Sequence, residues 1–217
     1  MGIKVFLADD HAVVRDGLKL ILRTQEDMEI SGEAADGRRT IEMVKRACPD
    51  VVVMDIAMPE LNGIEATRQI LESCPSTQII ILSMHASNEY IFQAFRAGAR
   101  GYLLKESAGK EVIQAVRAVY AGRRYFCRQI AKTELEDYMA GINSASVRSP
   151  LEHLSLRERE VLQLIVEGKS NSEIASILSL SVKTVETYKS RLMYKLNIKD
   201  IPGLVKFALQ HGLTTLK

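Results

Sequence analysis

The chain has 217 residues, of which 47% are hydrophobic and 26% charged. That length holds one large domain or two small ones, and the composition excludes a disordered or fibrous chain. No apolar run approaches the roughly 18 residues that span a membrane, and the opening M-G-I-K-V-F-L-A-D-D turns acidic too soon for a secretory signal, so a cytoplasmic protein with no membrane contact is expected.

Ile3 to Ala8 is a strand-like run that ends on Asp9 and Asp10. Val13, Leu18, Ile21 and Leu22 then recur at helical spacing. Met28 to Gly32 predicts a second strand, and Asp36-Gly37 a turn. Ile41, Val44 and Ala47 predict a helix stopped at Cys48, before Pro49. Val51 to Asp55 is apolar and β-branched until its last residue, as in a strand buried on both faces of a parallel sheet. Ile64, Thr67, Ile70 and Leu71 give a third helix. Gln78 to Leu82 gives a fourth strand ending at Ser83, Tyr90 to Ala97 a helix, and Gly101 to Leu104 a fifth strand ending at Lys105. Val112, Ala115, Val116 and Val119 line a final helix that stops near Gly122. Strands alternating with helices predict a doubly wound five-stranded parallel sheet with right-handed crossovers. The three cysteines, Cys48, Cys74 and Cys127, are scattered and lack a C-x-x-C pair. That pattern predicts neither a disulfide framework nor a zinc site and suits a reducing compartment.

The polar residues fall at the carboxyl ends of the strands, where open α/β sheets place their chemistry. They are Asp9 and Asp10, Asp55, Ser83 and Lys105. Converging carboxylates repel one another unless a cation joins them, and oxygen ligands with room for water suit Mg²⁺. A carboxylate beside such an ion can accept a phosphoryl group, with a hydroxyl and an ammonium holding its oxygens. Each residue also fits a plainer role. Asp9-Asp10 could cap the first helix, Asp55 and Ser83 could be turn residues, and Lys105 could be solvated. All of them falling at strand ends is harder to assign to chance.

Asp9-Asp10, Asp55 with Met58-Pro59 and Gly63, Ser83 and Lys105 together resemble the receiver domain of bacterial response regulators. The resemblance covers residues 3–122 and implies the flavodoxin-like fold. It implies that Asp55 accepts phosphate from a sensor histidine kinase, and that Mg²⁺ is bound by Asp9 or Asp10, by Asp55 and by the backbone carbonyl of Ala57. It implies that Ser83 and Lys105 contact the phosphoryl group and that Tyr102 is the aromatic switch. Tyr102 also fits an ordinary strand aromatic. Ser83 stands where many receivers have Thr, and Glu106 where many have Pro. Ala57 and His85 occupy positions that tune phosphate lifetime in the family.

Residues 123–149 change character and are expected to be a linker, with one more helix within Ile130 to Met139 and a small, polar tether from Gly141. Residues 150–217 hold 10 Lys+Arg against 7 Asp+Glu, and residues 1–149 hold 19 against 20, so the second part is the more basic. Ser155-Leu-Arg-Glu158 and Ser170-Asn-Ser-Glu173 are capping boxes that open two helices. A turn at Ser179 to Ser181 leads to a third helix, Val182 to about Leu196, and a fourth runs from about Ile201 to Gln210. So tight a turn between two helices is a helix-turn-helix signature, although a plain helical hairpin has the same spacing. On the third helix Val185, Tyr188, Leu192 and Leu196 face the core, and Lys183, Thr187, Ser190 and Tyr194 lie roughly opposite.

The segment L-S-x-R-E-x-E-V-L … G-x-S-N-x-E-I-A … L-x-x-S-x-x-T-V-E resembles the LuxR-type helix-turn-helix over residues 150–212. Both parts together resemble a NarL/FixJ-type response regulator: a receiver at 1–122, and a four-helix, all-α DNA-binding domain at 150–217. That implies a transcription factor rather than an enzyme, binding double-stranded DNA as a homodimer through its last helix. Lys183, Thr184, Glu186, Thr187, Lys189, Ser190, Arg191 and Lys195 are the expected DNA contacts, with Glu186, Thr187 and Ser190 at base-reading positions. An aspartate-dependent Mg²⁺ phosphohydrolase would use a similar acidic site. Ala57 stands where such an enzyme has its second acid. A first domain that senses something other than phosphate is the third possibility.

Overall fold

Strands buried on both faces need helices on both sides, and the chain supplies them by alternation. The computed structural model describes residues 2–130, 150–211 and 213–214. These form two compact units, one on each side of the segment 131–149. The helix expected within Ile130 to Met139 lies outside the described residues.

In the first unit, β1 (Ile3–Ala8), α1 (Ala12–Arg23), β2 (Met28–Ala34), α2 (Gly37–Ala47), β3 (Val51–Asp55), α3 (Gly63–Ser73), β4 (Gln78–Ser83), α4 (Asn88–Arg96), β5 (Gly101–Leu104) and α5 (Lys105–Tyr120) follow in order. The strands pair in parallel in the order β2-β1-β3-β4-β5. The strand order reverses between β1 and β3, which opens a crevice beyond their carboxyl ends. Every residue of β3 is buried, as are all of β5 and all but the first of β4.

The loop after β3 is shaped by close backbone approach. A Cβ on Gly63 would stand 2.1 Å from the carbonyl oxygen of Asp55, and one on Gly37 2.0 Å from that of Leu61. Only glycine lets α3 start against the end of β3. The Asn62 side chain then caps α3 by accepting from the Glu65 amide at 2.9 Å.

Two expectations are corrected. The sheet has a sixth strand, β6 (Tyr125–Phe126), parallel to β5 and formed by residues expected in the linker. Phe126 packs on Phe95 with ring centroids 4.7 Å apart, Tyr125 donates its hydroxyl to Glu111 at 2.8 Å, and Cys127 and Ile130 join the core. Second, Cys48 and Cys74 form a disulfide, with Cα atoms 5.7 Å apart. Each closes its helix, Cys48 after α2 and Cys74 after α3, so two side-by-side helices bring together cysteines that are distant in sequence. Cys127 is a buried free thiol.

The second unit holds α6 (Leu156–Val166), α7 (Asn171–Leu178), α8 (Val182–Leu196) and α9 (Ile201–Gln210). Both capping boxes form, Ser155 with Glu158 and Ser170 with Glu173. Ser179 closes α7 in the left-handed region at φ 54°, and Ser181 caps α8 by accepting from the Thr184 amide at 3.1 Å. Val161, Leu162, Ile174, Leu178, Val185, Leu192, Leu204 and Ala208 make the core.

Candidate functional site

The crevice at the carboxyl ends of β1 and β3 gathers the predicted acidic residues. Asp9 and Asp55 are almost fully buried and Asp10 is half-buried. Lys105, the first residue of α5, sends its ammonium between them, with Nζ 2.8 Å from Asp9 Oδ2 and 2.8 Å from Asp55 Oδ2. Burial pushes the Asp55 carboxyl above its ordinary value. The Asp9 charge pushes the same way, and the Lys105 ammonium and the Ala57 amide oppose it. Burial works against the Lys105 charge, but Asp55 and Asp9 outweigh it and hold the ammonium above its ordinary value. Arg15 donates to the Asp9 carbonyl at 2.6 Å and so ties α1 to the end of β1.

Sequence reasoning missed His11. Its Nδ1 lies 2.7 Å from Asp10 Oδ1 and 3.2 Å from Asp9 Oδ1. Asp9, Asp10, His11 and Asp55 each offer a ligand atom, and these atoms lie within 4.8 Å of one another. The signal was adjacency to Asp10, which carried no weight until the turn folded the imidazole back.

Ser83 and Tyr102 sit on neighbouring strands, both fully buried. The Ser83 hydroxyl accepts from the His85 amide at 3.0 Å, and the Tyr102 hydroxyl donates to the His85 carbonyl at 2.7 Å. Both hold the loop after β4 through one residue, His85, whose ring stacks on Tyr90 at 4.7 Å. Burial raises the Tyr102 phenol far above its ordinary range, so it remains a donor.

In the second unit Lys183, Glu186, Thr187, Ser190 and Arg191 are exposed on α8, with Thr184 and Lys189 half-buried. The Thr187 hydroxyl donates to the Lys183 carbonyl at 2.9 Å, which leaves its oxygen able to accept. Lys195 is placed differently from the rest of the predicted set. Its ammonium lies 2.7 Å from Glu158 Oε2, the carboxylate that also completes the α6 capping box. It therefore fastens α8 to α6.

Residues 5–117 match the response regulator receiver domain family, and residues 152–208 match bacterial regulatory proteins of the luxR family. The oxygen regulatory protein NreC of Staphylococcus carnosus is 44% identical over 97% of this chain and 99% of its own, and that of Staphylococcus aureus is 42% identical with the same coverage. Among solved structures, the RcsB response regulator of Salmonella typhimurium covers 99% of both chains at 26% identity with a TM-score of 0.64. An RcsB–DNA complex covers 97% of this chain and 99% of its own at 26% identity with a TM-score of 0.57.

The chain belongs to the NarL/FixJ-type response regulators. It is a DNA-binding two-component response regulator and not an enzyme. Among its described residues no helix is long and apolar enough to cross a membrane. The receiver family implies a divalent ion, generally Mg²⁺, and the residues present fit one. Three carboxylates face a single ammonium, which leaves two negative charges that a divalent cation would balance, and the donors are mainly the hard oxygens Mg²⁺ prefers.

Proposed function

We propose that Asp55 accepts a phosphoryl group from a sensor histidine kinase, and that residues 150–217 bind double-stranded DNA in response. The observation that supports this most is the Lys105 ammonium bonded at once to Asp9 and Asp55 at the end of β3. A carboxylate oxygen of Asp55 would attack phosphorus as the phosphorus–nitrogen bond of the kinase phosphohistidine breaks, with the imidazole retaining its electron pair. Asp9, Asp10, Asp55 and the Ala57 carbonyl would hold Mg²⁺, which screens the phosphoryl oxygens from these acids when bound. Lys105 would turn from a carboxylate to a phosphoryl oxygen, and the Ser83 hydroxyl would leave the His85 amide to donate to another.

The acyl phosphate adds about −2 charge, by analogy with phosphate on hydroxyl oxygens. Ser83 and Tyr102 both hold His85, so a moved Ser83 loosens the loop that Tyr102 fixes. That reading puts the switch on the surface of α4 and β5. On the DNA side, Lys183, Thr184, Glu186, Thr187, Lys189, Ser190 and Arg191 form the contact face. The half-buried apolar Val205 and Leu209 of α9, with exposed Ile201 one turn earlier, support a homodimer through that helix. The division into a receiver, a linker and a DNA-binding domain at 150–217 belongs to this reading, with the receiver extended past residue 122 to take in β6, Cys127 and Ile130, as does a cytoplasmic location, where kinase and DNA meet.

Treatment with acetyl phosphate and Mg²⁺, followed by mass spectrometry, tests the reading. Asp55 should gain one phosphoryl group, and Asp55→Ala should abolish it. Equal labelling of the variant at a residue outside the acidic crevice would defeat the assignment.

A further inference from the structure

Cys48 and Cys74 lie 26 residues apart in sequence. Each ends a helix, and α2 and α3 pack side by side, so both cysteines stand at the amino end of β3. Their Cα separation of 5.7 Å falls where bridged cysteines normally lie. The two residues differ in access. Cys48 is exposed, whereas Cys74 is only 2% exposed. An open thiol next to a shielded one is the arrangement of an attacking and a resolving cysteine. The bridge closes a loop that contains all of β3, Asp55 and α3. Yet it sits at the opposite end of β3 from Asp55, about 15 Å away at ~3.3 Å per strand residue.

We propose that Cys48 and Cys74 are a reversible two-electron modification site, which clamps α2 to α3 and stabilises the receiver without altering the chemistry at Asp55. Cys48, as its thiolate, attacks one sulfur of a low-molecular-weight disulfide. That disulfide bond breaks, and one small thiolate leaves and takes up the proton Cys48 gave up. Cys74, also as its thiolate, then attacks the Cys48 sulfur of the mixed disulfide. The second small thiolate leaves with the Cys74 proton. Two protein thiols are oxidised and one small disulfide is reduced to two thiols. Reduction retraces the path, with a small thiolate entering at Cys48, the exposed residue of the pair. A closed loop of this size restricts the unfolded chain, and the stabilisation follows from that.

The test takes the fully reduced, full-length chain, equilibrates it with oxidised glutathione, denatures and alkylates it, and maps the peptides. Alkylation should be lost at Cys48 and Cys74 together and kept at Cys127, and dithiothreitol should restore both. The oxidised chain should melt higher by on the order of 5–15 °C. Cys48→Ala, at the exposed position, should fold, form no cross-link and melt alike in both buffers. Acetyl phosphate should label oxidised and reduced chains within twofold. If Cys48 and Cys74 stay alkylatable in excess oxidant, if Cys127 pairs instead, or if the two forms melt together, the pair is no such site. A tenfold loss of labelling on oxidation would overturn the claim that the clamp leaves Asp55 unaffected. Labelling that fails equally in both forms, with the cross-link intact, would count against the phosphoacceptor reading and leave the pair standing.

Discussion

The acidic crevice of the receiver and the outer face of α8 put polar residues to opposite uses. In the crevice, the buried Asp9 and Asp55 carboxylates share the Lys105 ammonium, so each group's charge depends on its neighbours. On α8 most of the polar residues are exposed, and the helix is fastened at its ends and back by Ser181, Glu158 and the core. A buried site holds electrostatic tension before any ligand arrives. A surface site holds almost none, and its energy appears only on binding. Substitutions should therefore change stability strongly in the first region and chiefly affinity in the second.

The largest effect should come from Lys105→Met. Removing the ammonium leaves Asp9 and Asp55 buried together without their shared cation, and breaking such a pair costs about 3–5 kcal/mol. Asp55→Asn should move stability the other way, because it removes one of the repelling charges. Burial holds the Asp55 carboxyl above its ordinary value of 3.8. The folded chain therefore keeps that proton to higher pH than the unfolded chain does, and the Asp55 contribution to stability falls as pH rises from 3.8 through the folded value. The gain from Asp55→Asn should be greatest at neutral pH and shrink as pH falls toward 3.8. Thermal melts of both variants across pH, with and without millimolar Mg²⁺, check this. Mg²⁺ should recover much of the Lys105→Met loss. If both substitutions lower the melting temperature equally at neutral pH, the crevice holds no such tension.

The next effect lies behind α8. Burial works against the charge of Glu158, but the Lys195 ammonium and the Ser155 donors outweigh it and hold the carboxyl below its ordinary 4.5. Its contribution is thus present above pH 4.5 and lost as pH falls through the folded value. Glu158→Ala gives up a capping box and a partly exposed ion pair, worth about 1–3 kcal/mol together. Lys195→Met should lose less and leave the salt dependence of DNA binding unchanged. A shallower salt dependence with unchanged stability would return Lys195 to the DNA-contact set.

Most of this architecture was legible because its elements carry their own signals. Period, turns and caps fixed β1 to β5 and the four helices of the second unit, and Asp9, Asp10, Asp55 and Lys105 were found by where their strands ended. What was missed is tertiary. Tyr125–Phe126 is too short to show a strand period, and it pairs only because β5 leaves an open edge. Cys48 and Cys74 meet only because two crossover helices end side by side. The ion pair of Lys195 with Glu158 likewise joins residues far apart in sequence. Local pattern does not report which distant residue arrives.

The smallest effects, and the test of the face itself, come from Thr187→Ala and Lys189→Ala. Thr187 is exposed, and its hydroxyl proton is held by the Lys183 carbonyl, so toward a base it presents an acceptor oxygen and a methyl group. In a major groove an acceptor suits an amino group of adenine or cytosine, and a methyl suits that of thymine. Losing it should relax preference at one base pair by about 1–3 kcal/mol and leave the salt slope alone. Lys189 is half-buried, with a stem that can lie along the domain while its ammonium reaches outward, as a phosphate contact would. Losing it should weaken every sequence alike and flatten the slope of log affinity against log salt by about 0.9. Glu186 stands beside Thr187 and faces repulsion from phosphates unless it accepts from a cytosine amino group. Glu186→Gln should therefore tighten binding to all sequences if it reads no base, and shift preference away from one cytosine if it does. Affinities over a salt series and a panel of operator variants separate these outcomes. If Thr187→Ala and Lys189→Ala change slope and preference in the same way, α8 meets DNA with another face, because a base contact and a phosphate contact cannot respond alike to both variables.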